Sequence, residues 1–381
     1  MRRLGQVSAA MAILALSLTT GCGAFWVYPG SLSSSGNTGD YVYVANATTG
    51  SVAGYVVGTA TLTAVSGSPY TLGFVPTSVV VNAANTLVFV AGTNGTYGFI
   101  NAYTIGTGGA LTLLKSNNLG SAGEVSIDVS PDGNWLAGLD ANGTAINEAI
   151  VDLYQVNSST GQLTLGTGGS YLYGGTSAPT VAPQAIKFAP SGDYVFVAVG
   201  TAGDLVYPFA TSTGTLSTPQ ALIFGASSTT SENALAVNST STYLYIARSG
   251  TNGGLAVFTI GSGGALNEVG TPLTAGTQPT SVVVNKAGTD VYVANQVSGS
   301  ISEYSVASNG TVAALNPVSV TTTSAPWAMA VDNSGNYLLS VSKVGNPDLA
   351  MYSYSSGQLT FSTSTATGTD PAGATALATT H

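Results

Sequence analysis

Residues 278–315 (QPTSVVVNKAGTDVYVANQVSGSISEYSVASNGTVAAL) hold four short runs rich in β-branched and aromatic residues, separated by turns built on Asn, Gly and Ser. Runs of this length and composition read as β-strands joined by tight turns. Aligning the rest of the chain on the turn at Asn285 recovers the unit repeatedly. The position of Pro279 recurs at Pro76, Glu124, Pro183, Glu232, Pro326 and Pro371, at intervals of 45 to 59 residues. A four-stranded unit at that period is the signature of a β-propeller.

The number of blades follows from counting strands. Third runs occur seven times, at 51–57, 99–105, 148–156, 204–209, 254–260, 300–306 and 348–354. First runs also number seven if 371–378 is included, whereas 41–46 (YVYVAN) is a second run with no first run before it. The expected fold is therefore all-β: a seven-bladed β-propeller of four-stranded antiparallel blades over 41–378, its ring closed by the C-terminal strand joining the N-terminal blade. Such closure leaves no unpaired edge for another chain to extend. Charged residues make up only 6% of the chain against 44% hydrophobic, with 49 Gly, which suits a turn-rich β protein whose surface is carried by Ser, Thr, Asn and Gln. The net charge of −9 repels phosphate backbones, so nucleic acid is not an expected partner.

Ahead of the repeats, Arg2 and Arg3 precede an apolar stretch from Val7 to Leu18 and then LTTGC, ending at Cys22. The apolar stretch is too short to span a bilayer and reads as a secretion signal over 1–21. LTTGC resembles a bacterial lipoprotein cleavage box, with Thr19 where Leu is usual. This implies that Cys22 becomes the acylated first residue and anchors the protein to a membrane of the cell envelope. Cys22 is the only cysteine, so it has no disulfide partner within the chain. The alternative is an ordinary secretory signal with an incidental Cys and a soluble periplasmic or secreted product. Residues 22–40 read as a Gly/Ser tether interrupted by the FWVYP cluster at 25–29.

The VYVAN run at 291–295, the YVYVAN run at 41–46, the Ser-Pro-Asp-Gly turn at 130–133 and the seven-fold count resemble the lactonase-like, YVTN-repeat propellers. That family includes 6-phosphogluconolactonase-type and carboxymuconate-cyclising enzymes. The resemblance implies hydrolysis of a lactone, with His, Glu and Arg side chains around the mouth of the ring.

In an up-and-down meander, the loops entering first strands and those leaving second strands share one face. That mouth is expected to gather Thr77, Glu124, Gln184, Glu232, Asn233, Thr280 and Trp327 from the former, and Asn46, Asn94, Asp140, Asn142, Arg248, Asn295, Gln296 and Lys343 from the latter. Five of the scarce charges fall there: Glu124, Asp140, Glu232, Arg248 and Lys343. Glu232 or Glu124 would serve as the base that activates water and Arg248 as the group stabilising the oxyanion. Trp327 could stack on a sugar or aromatic ligand, or pack inside. The longest interval adds 166–182 (GTGGSYLYGGTSAPTVA), whose Tyr171 and Tyr173 suggest a flap over the opening.

Other features weigh against catalysis. The only histidine is His381, the last residue, and Arg248 is the only arginine beyond the leader. A Ser-His-Asp triad, a Cys-His dyad and a histidine metal centre are thereby excluded unless His381 folds back. Asp140, Asn142 and Glu148 offer oxygen ligands for Ca²⁺ without the full loop pattern, so no metal is assigned, and no cofactor is expected. The glycine runs at 106–109 and 261–264 lie between third and fourth strands with no helix after them, and read as hairpin turns rather than phosphate loops. The favoured expectation is an exported binding or scaffold module that holds a carbohydrate, peptide or protein at its mouth, with a sugar lactonase as the alternative.

Asp128 and Lys187 occupy equivalent first-strand positions in neighbouring blades, where other copies have Val80, Ala236, Val283, Ala330 and Thr375. They are expected to form a structural ion pair across the blade interface, such that Lys187→Met alone costs much more than the double change with Asp128→Leu.

Overall fold

The computed structural model describes residues 39–120, 123–141, 146–174, 178–223, 229–368 and 372–381. Cys22, the leader and residues 22–38 of the tether lie outside these. Seven antiparallel sheets form the ring. We number them as blade I (41–71 with 374–379), II (75–118), III (124–172), IV (185–222), V (231–268), VI (279–321) and VII (328–365). In every blade the first strand in sequence is innermost, except in blade I. There the innermost strand is Ala374–Thr379, paired with Tyr41–Asn46. Innermost strands contact one another in sequence order, and Ala374–Thr379 lies between those of blades VII and II.

The closing strand begins at Ala374 rather than 371. Asn46 faces Ala374 just as Asn295 faces Pro279, so Ala374 is the true equivalent of Pro279. Aligning on proline missed this, because pairing register follows the pleat: Leu377 must sit against Val44 to keep its apolar face inward.

The core is divided into seven apolar clusters, one at each blade–blade interface. Second strands are deeply buried, with Val42, Phe89, Leu136, Val195, Ile246, Val293 and Leu339 all at 0% exposure. Serines at one register position tie neighbouring innermost strands. Ser78, Ser126 and Ser281 accept from the N–H groups of Ile127, Ile186 and Met329 at 3.1–3.3 Å.

The glycine turns are set by the same packing. A Cβ on Gly109 would fall 2.5 Å from the Tyr41 ring of the preceding blade, and one on Gly310 2.0 Å from Tyr243. Both glycines also have positive φ, so any other residue would meet a steric and a conformational penalty together.

Candidate functional site

Backbone register places Glu124 opposite Asp140, Glu232 opposite Arg248 and Pro279 opposite Asn295, at the mouth end of their blades. A β-bulge follows at Val125, Asn233 and Thr280, and further bulges occur at Thr77 and Thr375. A bulge re-aims its extra side chain. Here it aims it at the next blade: Thr77 Oγ1 donates to Glu124 O (2.6 Å), Asn233 Nδ2 to Pro279 O (2.7 Å), Thr280 Oγ1 to Pro326 O and Thr375 Oγ1 to Pro76 O (both 3.3 Å). Several polar groups of the entering loops thus close the ring.

Glu232 and Arg248 sit inside the protein, at 0% and 3% exposure. Arg248 Nε and Nη2 donate to Glu232 at 3.0 and 2.7 Å, and Nη1 donates to Glu268 at 2.9 Å. The guanidinium lies 5.6 Å from the Phe258 ring centroid. From blade IV the buried Asp204 brings a further carboxyl against Glu232. No N–H or O–H donor reaches either Asp204 oxygen, and burial followed by the Glu232 charge holds its pKa well above the usual range. Asp204 is therefore held toward its neutral form beside the Glu232 charge.

Blade III carries a related cluster. Tyr154 OH donates to Glu124 Oε1 (2.8 Å) and lies 3.2 Å from Asp152 Oδ2. Burial, then the Asp152 charge, raises the Glu124 pKa well above its ordinary value, and burial raises that of Asp152. The space for this comes from Gly138, on which a Cβ would lie 2.4 Å from the Glu124 carboxyl carbon.

The remaining predicted groups are scattered. Trp327 and Lys343 are half-buried together, with Lys343 Nζ 3.2 Å from the ring centroid and its pKa lowered by desolvation. Gln184 is exposed, and Asn233 is half-buried and engaged with Pro279. Asn295 is fully buried, donating to Ser302 Oγ at 2.9 Å within its own blade, so it does not face the opening. The flap expectation is corrected: Gly169–Leu172 is an outer strand paired with the start of Glu148–Val156, and Tyr173 is buried in the cluster between blades III and IV, edge-on to Tyr171 at 4.8 Å. The tyrosines, alternating with Ser170 and Leu172, let this segment add to a sheet edge instead of forming a free loop.

Lys187 Nζ lies 3.1 Å from Asp128 Oδ1, but the lysine side chain is 48% exposed against 9% for the aspartate. Asp128 also accepts the Phe188 N–H at 2.8 Å. His381 does fold back. It reaches the face opposite the mouth, where its N–H donates to Asn85 Oδ1 and its Nε2 lies 3.1 Å from Val81 O. Asn142 lies outside the described residues, and among those described no three His, Cys, Asp or Glu converge as metal ligands.

Sequence reasoning passed over Asp152, Tyr154, Asp204 and Glu268, because third- and fourth-strand residues were not expected at the mouth. One signal was present: Gly138 stands where the other second strands have Val44, Val90, Val197, Ile246, Val293 and Ser340, and a glycine inside a strand marks close approach.

No protein-family profile matches the chain, and no curated protein sequence does. Solved structures do. A candidate 6-phosphogluconolactonase of Bacteroides uniformis matches with TM-score 0.72 at 15% identity, covering 90% of this chain and 100% of that one. A second, from Bacteroides fragilis, gives 0.72 at 14%, covering 91% and 99%. The periplasmic gluconolactonase of Pseudomonas aeruginosa gives 0.70 at 16%, covering 90% and 99%. The chain therefore has the seven-bladed propeller fold shared by these 6-phosphogluconolactonase-like proteins.

Proposed function

We propose that the protein is an extracytoplasmic, Cys22-anchored binding propeller whose ligand site is the polar mouth. One observation carries this reading: the groups a lactonase would need are withdrawn from solvent and already engaged. Arg248 is spent on Glu232 and Glu268, Glu232 is 0% exposed, and Glu124 is 2% exposed with its pKa raised by burial and by Asp152. A base must be ionised and within reach of its water, and an oxyanion donor must have an N–H to give. The groups at hand for a ligand are Gln184, Trp327 and Lys343. An indole face backed by an ammonium, with amides around it, suits a carbohydrate or a polar peptide.

The competing reading, hydrolysis of a sugar lactone, draws on likeness to a periplasmic gluconolactonase. The test is gluconolactone hydrolysis by the purified protein, alongside binding to carbohydrate and peptide arrays. The binding reading expects hydrolysis no faster than the uncatalysed rate and array binding that falls at least tenfold in Trp327→Ala. Hydrolysis lost in both Glu232→Gln and Arg248→Ala, with the fold intact, would overturn it. The anchor is checked by metabolic labelling with a fatty acid, which Cys22→Ser should abolish.

A further inference from the structure

On the face opposite the mouth, the chain enters blade I beside the last blade of the ring. Gly39 and Asp40 lead into Tyr41–Asn46 of blade I, and the turn at 332–336 joins the first two strands of blade VII. Asp40 fastens one to the other: its carboxyl accepts the N–H groups of Asn333 at 3.0 Å and Ser334 at 3.1 Å. Two consecutive backbone N–H groups turned on one carboxyl make a small anion nest. Thr380 steadies the chain just beside it, donating to Gly39 O at 2.8 Å and accepting the Tyr41 N–H at 3.0 Å.

A second carboxyl stands against the first. Asp332 is 0% exposed, held by the Tyr337 N–H at 2.7 Å on one oxygen and by the Ser334 hydroxyl on the other, and it makes a side-chain hydrogen bond with Asp40. Two carboxyls can make that bond only while one of them carries a proton. Among the described residues no cation pairs with either. Lys286, from the equivalent turn of blade VI, directs its Nζ to Asn333 Oδ1 at 3.0 Å and to the Asn333 carbonyl instead, and no ion pair includes it. The other titratable groups at this turn are Tyr337, whose OH accepts the Ala60 N–H at 3.3 Å, and Tyr354, which feels the charges of Asp332 and Asp290. Neither brings positive charge. Burial, and then Asp332, accordingly raise the Asp40 pKa to about 7.

We propose that Asp40 is a proton-operated latch: with a proton between the two carboxyls it pins the chain's entry into blade I to the blade VII turn, and without one it swings away from Asp332. Two carboxylates in contact disfavour each other, and the proton that leaves passes to solvent. Asp332 is not the one to move, since it is enclosed and bound on both oxygens, whereas Asp40 is half-buried at the end of the tether. Tyr41–Asn46 keeps its pairing with Ser51–Gly58 and Ala374–Thr379 in either state. Opening is thereby confined to 39–40 and the turn it leaves, and the ring stays closed. The latch acts where the tether joins the ring and owes nothing to a ligand at the mouth.

The experiment is hydrogen exchange of the whole protein at pH 6 and pH 8, read by mass spectrometry and corrected for the intrinsic pH dependence of exchange. With a midpoint near pH 7 the latch is about one-tenth open at pH 6 and nine-tenths open at pH 8, so protection of the Asn333 and Ser334 amides should fall about tenfold. The amides of Leu87–Thr93 in blade II should not change, which separates a local latch from global unfolding. Asp40→Asn, which cannot ionise and keeps an oxygen for the turn, should hold the protection seen at pH 6 at both pH values. Asp40→Ala should leave the turn open at both, with blade II still protected. The proposal is overturned if the turn of the parent is equally protected at pH 6 and pH 8, or if blade II loses protection in parallel with it. It is also overturned if Asp40→Asn follows the parent's pH dependence, or if Asp40→Ala protects the turn as the parent does at pH 6.

Discussion

Replacing Arg248 by Met should be among the most damaging single changes in the molecule. The methionine fills most of the arginine's volume but leaves Glu232 buried beside Asp204 with no cation. Breaking one side of a buried pair costs about 3–5 kcal/mol. At about 2 °C per kcal/mol for a chain of this size, the melting temperature should fall by about 6–10 °C. The cost should also depend on pH. The folded-state pKa of Glu232, already raised by burial, rises further with the guanidinium gone. The folded protein then binds protons more tightly, and the variant regains stability as pH falls toward the ordinary carboxylate range. The gap between parent and variant should narrow from pH 8 to pH 5, and Arg248→Met with Glu232→Gln should recover part of the loss. Thermal melts by circular dichroism at both pH values measure this. A loss under about 1 kcal/mol at pH 8, or one independent of pH, would refute the reasoning.

Asp40, beside Asp332, has its pKa raised to about 7, first by burial. Its folded form holds a proton that the unfolded chain loses above about pH 4, so stability should fall as pH rises from about 4 to 7. The shift corresponds to about 4 kcal/mol at most, discounted to about 2 for a half-exposed group. Asp40→Asn should flatten that part of the stability–pH curve. Lys187→Met should cost no more than about 1 kcal/mol, since the lysine is half exposed. Asp128→Leu, which strands the Phe188 N–H, should cost about 1–3 kcal/mol by the same melts. The sequence expectation that Lys187→Met alone costs much more than the double change with Asp128→Leu is thereby lowered, because only the aspartate is buried. Ending the chain at Gly373 removes the inner partner of Tyr41–Asn46, and size-exclusion chromatography should find aggregate rather than monomer.

Much of the fold was written in local pattern. The short Val/Tyr runs, the turn residues between them and their recurrence specify strands, hairpins and blade number, because each depends on residues near one another in the chain. Closure was legible for the same reason: one blade lacked a first strand and the chain's end supplied it. The closing register was not, since it depends on which face of Ala374–Thr379 is buried against strands more than 300 residues away.

The chemistry at the mouth divides in the same way. Sequence alone determined that Glu124, Asp140, Glu232 and Arg248 come to one end of the ring, because strand direction settles that. Only tertiary structure decided that Glu232 and Arg248 are consumed by each other, that Asp204 of the preceding blade lies against them, and that burial beside Asp152 raises the Glu124 pKa. Whether a side chain faces solvent, a partner or a crevice depends on how adjacent blades stack, and burial between sheets, not position along a strand, sets the charge a carboxyl can carry.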